Sequence, residues 1–348
     1  MGLIRASMEG NLSQVKDILS KGASINTSLA ASGDTPLTLA SKHGHTSLVK
    51  YLLEEGANVQ VGLYRVIEIP DMTNRYMPDE FMRQASNMVK SHIHTRWCDT
   101  VKQEIRTMLN CSMRLLEAAR SGQLETVQKM IEEGAAVDTR GNNGYTPLLL
   151  ASEANHLNIA EFLIEKKANC NVKTTDGKTA LHLASVKGNL ALVQELVGRG
   201  ADFDTADDPY PTDLYLRQTT AGNTPLMVAS DYGHLPVVQF LLERGADVKA
   251  TNNGGESSLH RAATFGHDKV IEELLKKGAP IDAANVDGKT PLIQASKAGH
   301  LSTVKLLTEK GANCEAKDNE ERTALDWAKS EENADMVLLL SPSEPQTG

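Results

Sequence analysis

Histidine and cysteine carry most of the reactive side-chain chemistry in this chain of 348 residues, which contains ten histidines and four cysteines. The nearest approach to a set of metal ligands is the group His92, His94, Cys98 and Cys111. Imidazole and thiolate are ligands that zinc prefers, but the H-x-H-x3-C spacing matches no zinc finger or zinc ribbon. We therefore expect these side chains to belong to a packed or solvated helix, and we predict neither a metal site nor a cofactor.

Phosphate-binding and nucleophile motifs are also incomplete. The string DGKT begins at Asp176 and at Asp287, and GKT is the end of a phosphate-binding loop. That loop needs another glycine five residues before its GKT, where Val172 and Ala283 stand. The chain has no G-x-S-x-G, H-E-x-x-H or paired C-x-x-C pattern. The sequence therefore predicts a protein without catalytic activity.

One phrase recurs along the chain, with clear copies in TPLLLASEANH, TPLMVASDYGH and TPLIQASKAGH. We call the first residue of each copy its anchor, and successive anchors from Thr224 to Thr323 are 33 residues apart. The anchors are Thr35, Thr146, Thr179, Thr224, Ser257, Thr290 and the degenerate Thr323, and alignment adds Met1 and Met113. A fixed period of this length predicts a solenoid of nine stacked units.

Five histidines share one position in the repeat, just after the residue that ends the first helix: His45, His156, His234, His267 and His300. Two more, His182 and His260, share a second position, three residues after the anchor. Residues that recur in register usually serve the stacking of units. We predict that all seven are structural rather than catalytic.

Each repeat has the local signals of two helices. In the second repeat, Thr35 and Pro36 form a helix start, because threonine caps free amides and proline fits the first helical position. Gly44 ends that helix. A second apolar pattern follows from Leu48, and Gly56 closes it as a left-handed cap before the next turn.

These residues resemble the ankyrin repeat family, whose core phrase is T-P-L-H-x-A. The resemblance implies an all-α solenoid of helix-turn-helix units with β-turn or hairpin connections. His182 and His260 keep the histidine of that phrase, whereas the other repeats replace it. In those repeats we expect a weaker tie between the helix start and the neighbouring turn.

The spacing of the anchors divides the chain. Residues 1–60 hold repeats one and two, the first as an N-terminal cap, and 113–340 hold repeats three to nine, with a short loop insertion at 206–217. Residues 61–112 form a long insertion, and 341–348 are a predicted disordered tail. A polar last helix pair favours a complete chain.

The long insertion has an apolar residue every four positions from Phe81 to Leu109, which favours helix. That spacing drifts around a straight helix, so two helices fit better than one. Three alternatives stay open: a degenerate repeat, a cover packed on the array itself, or a partner site that presents Trp97 and Tyr76.

Composition restricts the partners and the cellular compartment that we expect. The net charge of -9 disfavours nucleic acid and anionic lipid, and no apolar run is long enough to span a membrane. The cysteines lack a disulfide spacing, so we predict a reducing compartment, the cytoplasm with the nucleus as alternative. We expect a monomer.

The resemblance places ligands on a concave face made by the turn tips and the first helix of each repeat. Tyr232 and Phe265 take the same exposed position in neighbouring repeats of a chain that is only 4% aromatic, so we predict a binding centre there. The alternative is that both rings cover the stack. The predicted partner-binding residues are Tyr232, Phe265, Asp231, Thr264, Tyr145, Lys187, Lys297, Tyr210, Tyr215 and Trp97.

The family resemblance also implies a modification. Asn171 stands at the turn position where ankyrin-like proteins are hydroxylated on asparagine. The predicted function is a non-catalytic scaffold or adaptor that binds a protein partner. The alternatives are a regulatory arm of a larger signalling, channel or transcription protein and, third, an enzyme that uses the insertion.

Overall fold

The computed structural model describes residues 2–29, 33–59, 99–207 and 221–341, with the backbone alone for 99–106. The chain divides into two compact units, residues 1–172 and 173–348, which we call unit 1 and unit 2. Each consists of helix pairs. Odd-numbered helices are the first helix of a repeat and even-numbered helices are the second.

Unit 1 contains eight helices in its described ranges: α1 Gly2–Glu9, α2 Leu12–Ser20, α3 Pro36–His43, α4 Thr46–Glu54, α5 Asp99–Ser121, α6 Leu124–Glu132, α7 Pro147–Glu153 and α8 Leu157–Glu165. Unit 2 contains ten: α9 Ala180–Lys187, α10 Leu190–Gly198, α11 Pro225–Asp231, α12 Leu235–Glu243, α13 Ser258–Thr264, α14 Asp268–Lys276, α15 Pro291–Lys297, α16 Leu301–Glu309, α17 Ala324–Ser330 and α18 Ala334–Leu340. The described residues thus form nine helix pairs, and the all-α fold that the family resemblance implies is confirmed.

Six of the anchors cap the first helix that follows them, as the sequence predicts: Thr35, Thr146, Thr224, Ser257, Thr290 and Thr323. Thr290 has extended backbone, its hydroxyl oxygen accepts from the Ile293 N–H at 3.3 Å, and Pro291 begins α15. Thr224 caps α11 in the same way through the Met227 N–H. These bonds satisfy amides that the first turn of a helix leaves without a partner.

The buried core of the array is built from equivalent residues in successive repeats. In unit 2 the first helices α11, α13, α15 and α17 pack one on the next, as do the second helices α12, α14, α16 and α18. The alanine five residues after the anchor is fully buried in successive repeats, for example Ala262 and Ala295, as are Leu274 and Leu307 on the second helices. A methyl side chain permits the close approach of neighbouring first helices.

Successive turns in unit 2 are joined by backbone hydrogen bonds. The Val286 N–H donates to the Gly254 carbonyl at 3.0 Å, and the Asn319 N–H donates to the Asp287 carbonyl at 2.9 Å. Each turn is also braced internally, as where the Asn285 side-chain oxygen accepts from two amides. The row of turn tips is therefore held in register with the helices.

The recurring histidines link each repeat to a neighbour. The Nε2 nitrogens of His45, His156, His234, His267 and His300 lie 2.8–3.1 Å from backbone carbonyls of the preceding repeat. The His182 ring contacts the Asn223 carbonyl of the next repeat at 3.0 Å, and the His260 ring contacts the Lys289 carbonyl at 3.1 Å. The prediction that these seven histidines serve the stacking of repeats is confirmed.

Helix α5 crosses the boundary that the sequence places between 112 and 113, because it runs without a break over Asp99–Ser121. This stretch contains neither glycine nor proline, so nothing in it ends a helix before the repeat begins. The expected helices from Phe81 to residue 98 lie outside the described residues. No helix in the described ranges is long and apolar enough to cross a membrane.

Candidate protein-binding face

In each repeat, four residues lie on the same side of the helix pair. They are the turn-tip residue just before the anchor, and the fourth, seventh and eighth residues after the anchor. The last three lie at helical spacing, so they project from the same side of the first helix. We call this side the first-helix face. In the four repeats of unit 2 that begin at Thr224, it consists of Asn223, Val228, Asp231 and Tyr232; Glu256, Arg261, Thr264 and Phe265; Lys289, Gln294, Lys297 and Ala298; and Arg322, Trp327, Ser330 and Glu331.

Tyr232 and Phe265 are exposed on this face, with 54% and 49% of their surface accessible. Each follows the last residue of a first helix. Each ring also stacks on the histidine two residues later, Tyr232 on His234 at 6.1 Å and Phe265 on His267 at 6.4 Å between centroids. One side of each aromatic ring is thus supported by the repeat, while about half of the side chain faces solvent.

A half-buried ion network joins the two aromatic positions. The Arg261 guanidinium pairs with Asp231 at 2.8 Å and with Glu256 at 3.0 Å, and its central carbon lies 5.7 Å from the Phe265 ring centroid. Burial opposes the charge of Arg261, but the two carboxylates hold its pKa above the ordinary value. Since Asp231 precedes Tyr232 in the chain, the network ties both rings into one patch.

The network continues into the next repeat. The second carboxylate oxygen of Glu256 accepts from the Gln294 side-chain amide at 2.7 Å. The Gln294 side-chain oxygen accepts from the Thr264 hydroxyl at 2.9 Å. Each of these polar groups is therefore fixed by a neighbour, which presents a pre-organised surface to a partner.

Trp327 closes the face at its C-terminal end. Its ring is buried and lies beneath three cations, the Arg322 guanidinium at 3.6 Å and the Lys297 and Lys289 ammonium groups at 4.8 Å and 5.8 Å from the ring centroid. The indole N–H donates to Asp318 at 2.8 Å. Burial works against the charge of Asp318, but the hydrogen bonds that it accepts lower its pKa below the ordinary value.

A shallow hollow of about 340 Å³ opens on the face between the repeats that begin at Ser257 and Thr290. Its lining residues are Glu256, Thr264, Asn285, Asp287, Lys289, Gln294, Lys297 and Ala298. Ligand pockets usually measure about 300 to 1,000 Å³, so this hollow lies at the small end of that range.

The predicted partner-binding residues fall into three groups. The first group lies on the first-helix face of unit 2 and consists of Asp231, Tyr232, Thr264, Phe265 and Lys297. Lys187 is exposed, and it takes the position in α9 that Tyr232 and Phe265 take in their repeats. Tyr145 belongs to unit 1, where its hydroxyl donates to Glu153 at 2.9 Å. Trp97, Tyr210 and Tyr215 lie outside the described residues.

Sequence reasoning missed Arg261 and Trp327, which organise the patch. Both stand four residues after an anchor, as Gln294 does. Comparison of that position between repeats would have shown the change, because earlier repeats have the aliphatic residues Leu183 and Val228 there.

Of the four residues weighed as zinc ligands, Cys111 alone is described. It is buried, and its thiol donates to Glu133 at 3.3 Å. Burial and, secondly, that hydrogen bond raise the pKa of Cys111 to about 11. Such a thiol stays protonated at neutral pH, whereas zinc binds thiolate. His92, His94 and Cys98 lie outside the described residues.

Asn171 lies in the turn after α8 and is exposed. Its backbone N–H donates to the Asn169 side chain at 2.9 Å, a bond that recurs in other turns, as between Glu315 and Asn313. Its hydroxylation stays a prediction. An increase of one oxygen in the intact mass after incubation with an asparaginyl hydroxylase would test it.

Stacked helix pairs with a periodic first-helix face define a helical repeat protein of the solenoid class. A family model of ankyrin repeats in three copies matches residues 115–207, 210–285 and 259–347, and one of ankyrin repeats in many copies matches 3–53. The chain belongs to the ankyrin repeat family. Ankyrin repeats are in general protein–protein interaction modules, and the chain is expected to have protein partners.

Among solved structures, the chain is similar to the crystal structure of the human ASB11 ankyrin repeat domain. The two are 26% identical, the match covers 66% of this chain and 98% of that chain, and the TM-score is 0.56. A search of curated proteins gave no match.

Proposed function

We propose that this protein is a non-catalytic scaffold or adaptor that binds a protein partner through the first-helix face of unit 2, centred on Tyr232 and Phe265. The observation that carries the proposal is the exposure of these two rings at equivalent positions of adjacent repeats, joined by the Asp231–Arg261 ion pair. Aromatic residues supply large contact area at low entropic cost, and they are enriched at binding hot spots.

Rigidity supports the same proposal. The polar groups around the rings are already hydrogen-bonded or ion-paired, from Arg261 through Glu256 to Gln294. A partner that docks there orders few side chains, so more of the contact energy appears as affinity. That the insertions at 61–112 and 206–217 also take part in binding stays a prediction from the sequence.

The regulatory arm of a larger protein remains the alternative, and it would use the same face. We further propose a monomer in the cytoplasm, with the nucleus as alternative and no role for nucleic acid. In support, Cys111 and Cys314 are free thiols, and the net charge is -9. Imaging of a fluorescently labelled chain in cells tests the location.

An affinity pull-down from cell lysate tests the proposed face. Three baits are compared with the wild-type chain: a double variant with Tyr232→Ala and Phe265→Ala, a chain that lacks residues 61–105, and a control with Gln239→Ala and Glu272→Ala. The control changes the second helices of the same two repeats. Mass spectrometry identifies the bound proteins.

We expect the double variant to lose a partner that the control retains, while the circular dichroism spectra of the two agree. A partner lost on deletion of 61–105 would add the insertion to the interface. Equal binding to the double variant and to the wild-type chain would place the partner site elsewhere and reject this face.

A further inference from the structure

The first-helix face carries a cation without an acidic partner in the repeat that begins at Thr290. Lys297 is exposed, and in the described part of the chain no carboxylate oxygen lies within 4.0 Å of its ammonium. The neighbouring cations differ, because Lys289 pairs with Asp287 at 3.0 Å and Arg322 pairs with Glu320 at 2.6 Å. Lys297 is thus the cation without an ion-pair partner among the face residues of the four repeats that begin at Thr224.

The hollow beside Lys297 is lined by two acidic residues and two lysines, so its formal charge is zero, and Lys297 is the lining cation without an ion-pair partner among the described residues. The two acidic residues are already satisfied, Glu256 by Arg261 and Gln294, and Asp287 by Lys289. An acidic group that enters the hollow would therefore meet one ammonium without an ion-pair partner, whereas both carboxylates of the lining already have cation partners. The Trp327 ring, 4.8 Å from the ammonium, helps to hold Lys297 over the C-terminal repeat.

Two apolar side chains lie at or beside the hollow. Ala298 lines it and is exposed, and the exposed Phe265 directly follows the lining residue Thr264. An apolar side chain next to an acidic one could therefore contact Ala298 or Phe265. The volume of about 340 Å³ is large enough to admit an acidic side chain.

We infer that the partner of this face contributes an Asp or Glu side chain, which pairs with Lys297 in the hollow, next to an apolar side chain that packs on Phe265 and Ala298. This inference rests on the proposed function, since it names the chemistry of the partner at the same face. Charge complementarity of this kind fixes register and specificity more than total affinity.

A phosphate group fits the hollow less well than a carboxylate does. It carries a charge of about −1.5 to −2, and Asp287 at the rim has a side chain that is 55% exposed. The single uncompensated ammonium of Lys297 matches the single charge of a carboxylate.

Selection from a phage-displayed peptide library tests the inference on the full chain. The peptides are fused to the coat protein through their C-termini, so an acidic group can come only from a side chain. Four targets are compared: the wild-type chain, the double variant with Tyr232→Ala and Phe265→Ala, Lys297→Glu, and Lys305→Glu. The last is a matched control, because Lys305 is exposed on the second helix of the same repeat.

We expect the wild-type chain and Lys305→Glu to enrich peptides with Asp or Glu beside an apolar residue, and Lys297→Glu to enrich Lys or Arg at that position. In a synthetic, C-terminally amidated copy of a selected peptide, replacement of the acid by its amide should weaken binding roughly tenfold. The same replacement should have little effect on binding to Lys297→Ala.

The outcomes separate this inference from the proposed function. Peptides that need Tyr232 and Phe265 but show no acidic preference, or the same preference on Lys297→Glu, would reject the acidic partner and keep the face. Peptides that prefer phosphoserine in synthetic copies would reject the carboxylate. Failure to enrich any peptide, or enrichment indifferent to both rings and to Lys297, would count against both proposals.

Discussion

The His267 ring nitrogen Nε2 lies 2.9 Å from the backbone carbonyl oxygen of Asp231, one repeat earlier in the chain. The same ring covers Gly233, where an added Cβ would lie 2.6 Å from His267 Nδ1. The His267 ring thus contacts both residues that flank Tyr232 at the end of α11: it bonds to the Asp231 carbonyl and packs against Gly233. The position of the proposed binding centre is therefore set by the stacking of repeats.

The first prediction concerns Gly233, which has φ +71°. Gly233→Ala should destabilise the protein, because a left-handed residue with a Cβ costs about 1–2 kcal/mol, and because the Cβ displaces the His267 ring. Gly299→Ala is the matched control. Gly299 has φ +79°, but nothing lies within 4 Å of its Cβ position, since Asn333 replaces the histidine in the next repeat.

We expect the free energy of unfolding in urea to fall by about 1–2 kcal/mol more for Gly233→Ala than for Gly299→Ala, the cost of a lost hydrogen bond and a repacked ring. Equal losses in the two variants would show that the histidine contact adds nothing to stability.

The second prediction concerns pH. Burial lowers the pKa of His182 and of His260 below the ordinary value, because the neutral ring is favoured in the fold. The unfolded chain therefore binds more protons below about pH 6.5 than the folded chain does. The contribution of the two neutral rings to the free energy of unfolding should be fully present above that pH. It should be lost as the pH falls toward the lowered pKa values of the folded state.

Urea unfolding at pH 7, 6 and 5 measures this effect. For each histidine the slope is at most about 1.4 kcal/mol per pH unit. His260→Gln should be less stable at pH 7, since the ring accepts from the Ser257 N–H and contacts the Lys289 carbonyl, yet it should depend less on pH. If His260→Gln kept the full pH dependence of the wild-type chain, His260 would not be a source of that dependence.

The third prediction concerns Arg261. Arg261→Gln should destabilise unit 2 by about 1–3 kcal/mol, because it leaves the half-buried carboxylates of Asp231 and Glu256 without their cation. The substitution is structurally mild, since Gln294 occupies the same position one repeat later.

Adding Glu256→Gln to Arg261→Gln should restore part of the lost stability, because one uncompensated carboxylate is then removed. A double-mutant cycle on thermal unfolding measures the coupling. Strictly additive losses would mean that the two side chains are not energetically linked.

Much of the fold could be predicted from the sequence because local chemistry and period agree. Threonine and proline at Thr290 and Pro291 specify a helix start, and a fully buried alanine recurs at Ala262 and Ala295. The exposure of Tyr232 was also foreseen, since the period fixes which helix positions face solvent.

The polar network could not be predicted in the same way. The Arg261 contact to Asp231 joins two repeats, and the Gln294 contact to Glu256 joins residues 38 apart. Their formation depends on rotamers and on the exact offset between repeats, which the period alone does not give. The unbroken helix α5 was missed for another reason, since the repeat register at Met113 carries no stop signal.

Photo-crosslinking from the proposed face tests the central claim most directly. Phe265 is replaced by p-benzoylphenylalanine, an aromatic residue that keeps the ring, and Glu272 on the second helix of the same repeat is replaced in a control chain. After irradiation in cells, the first chain should give a discrete adduct with another protein, and the control should not. Adducts that are the same from both positions, or that arise from position 272 alone, would contradict the assignment of binding to the first-helix face.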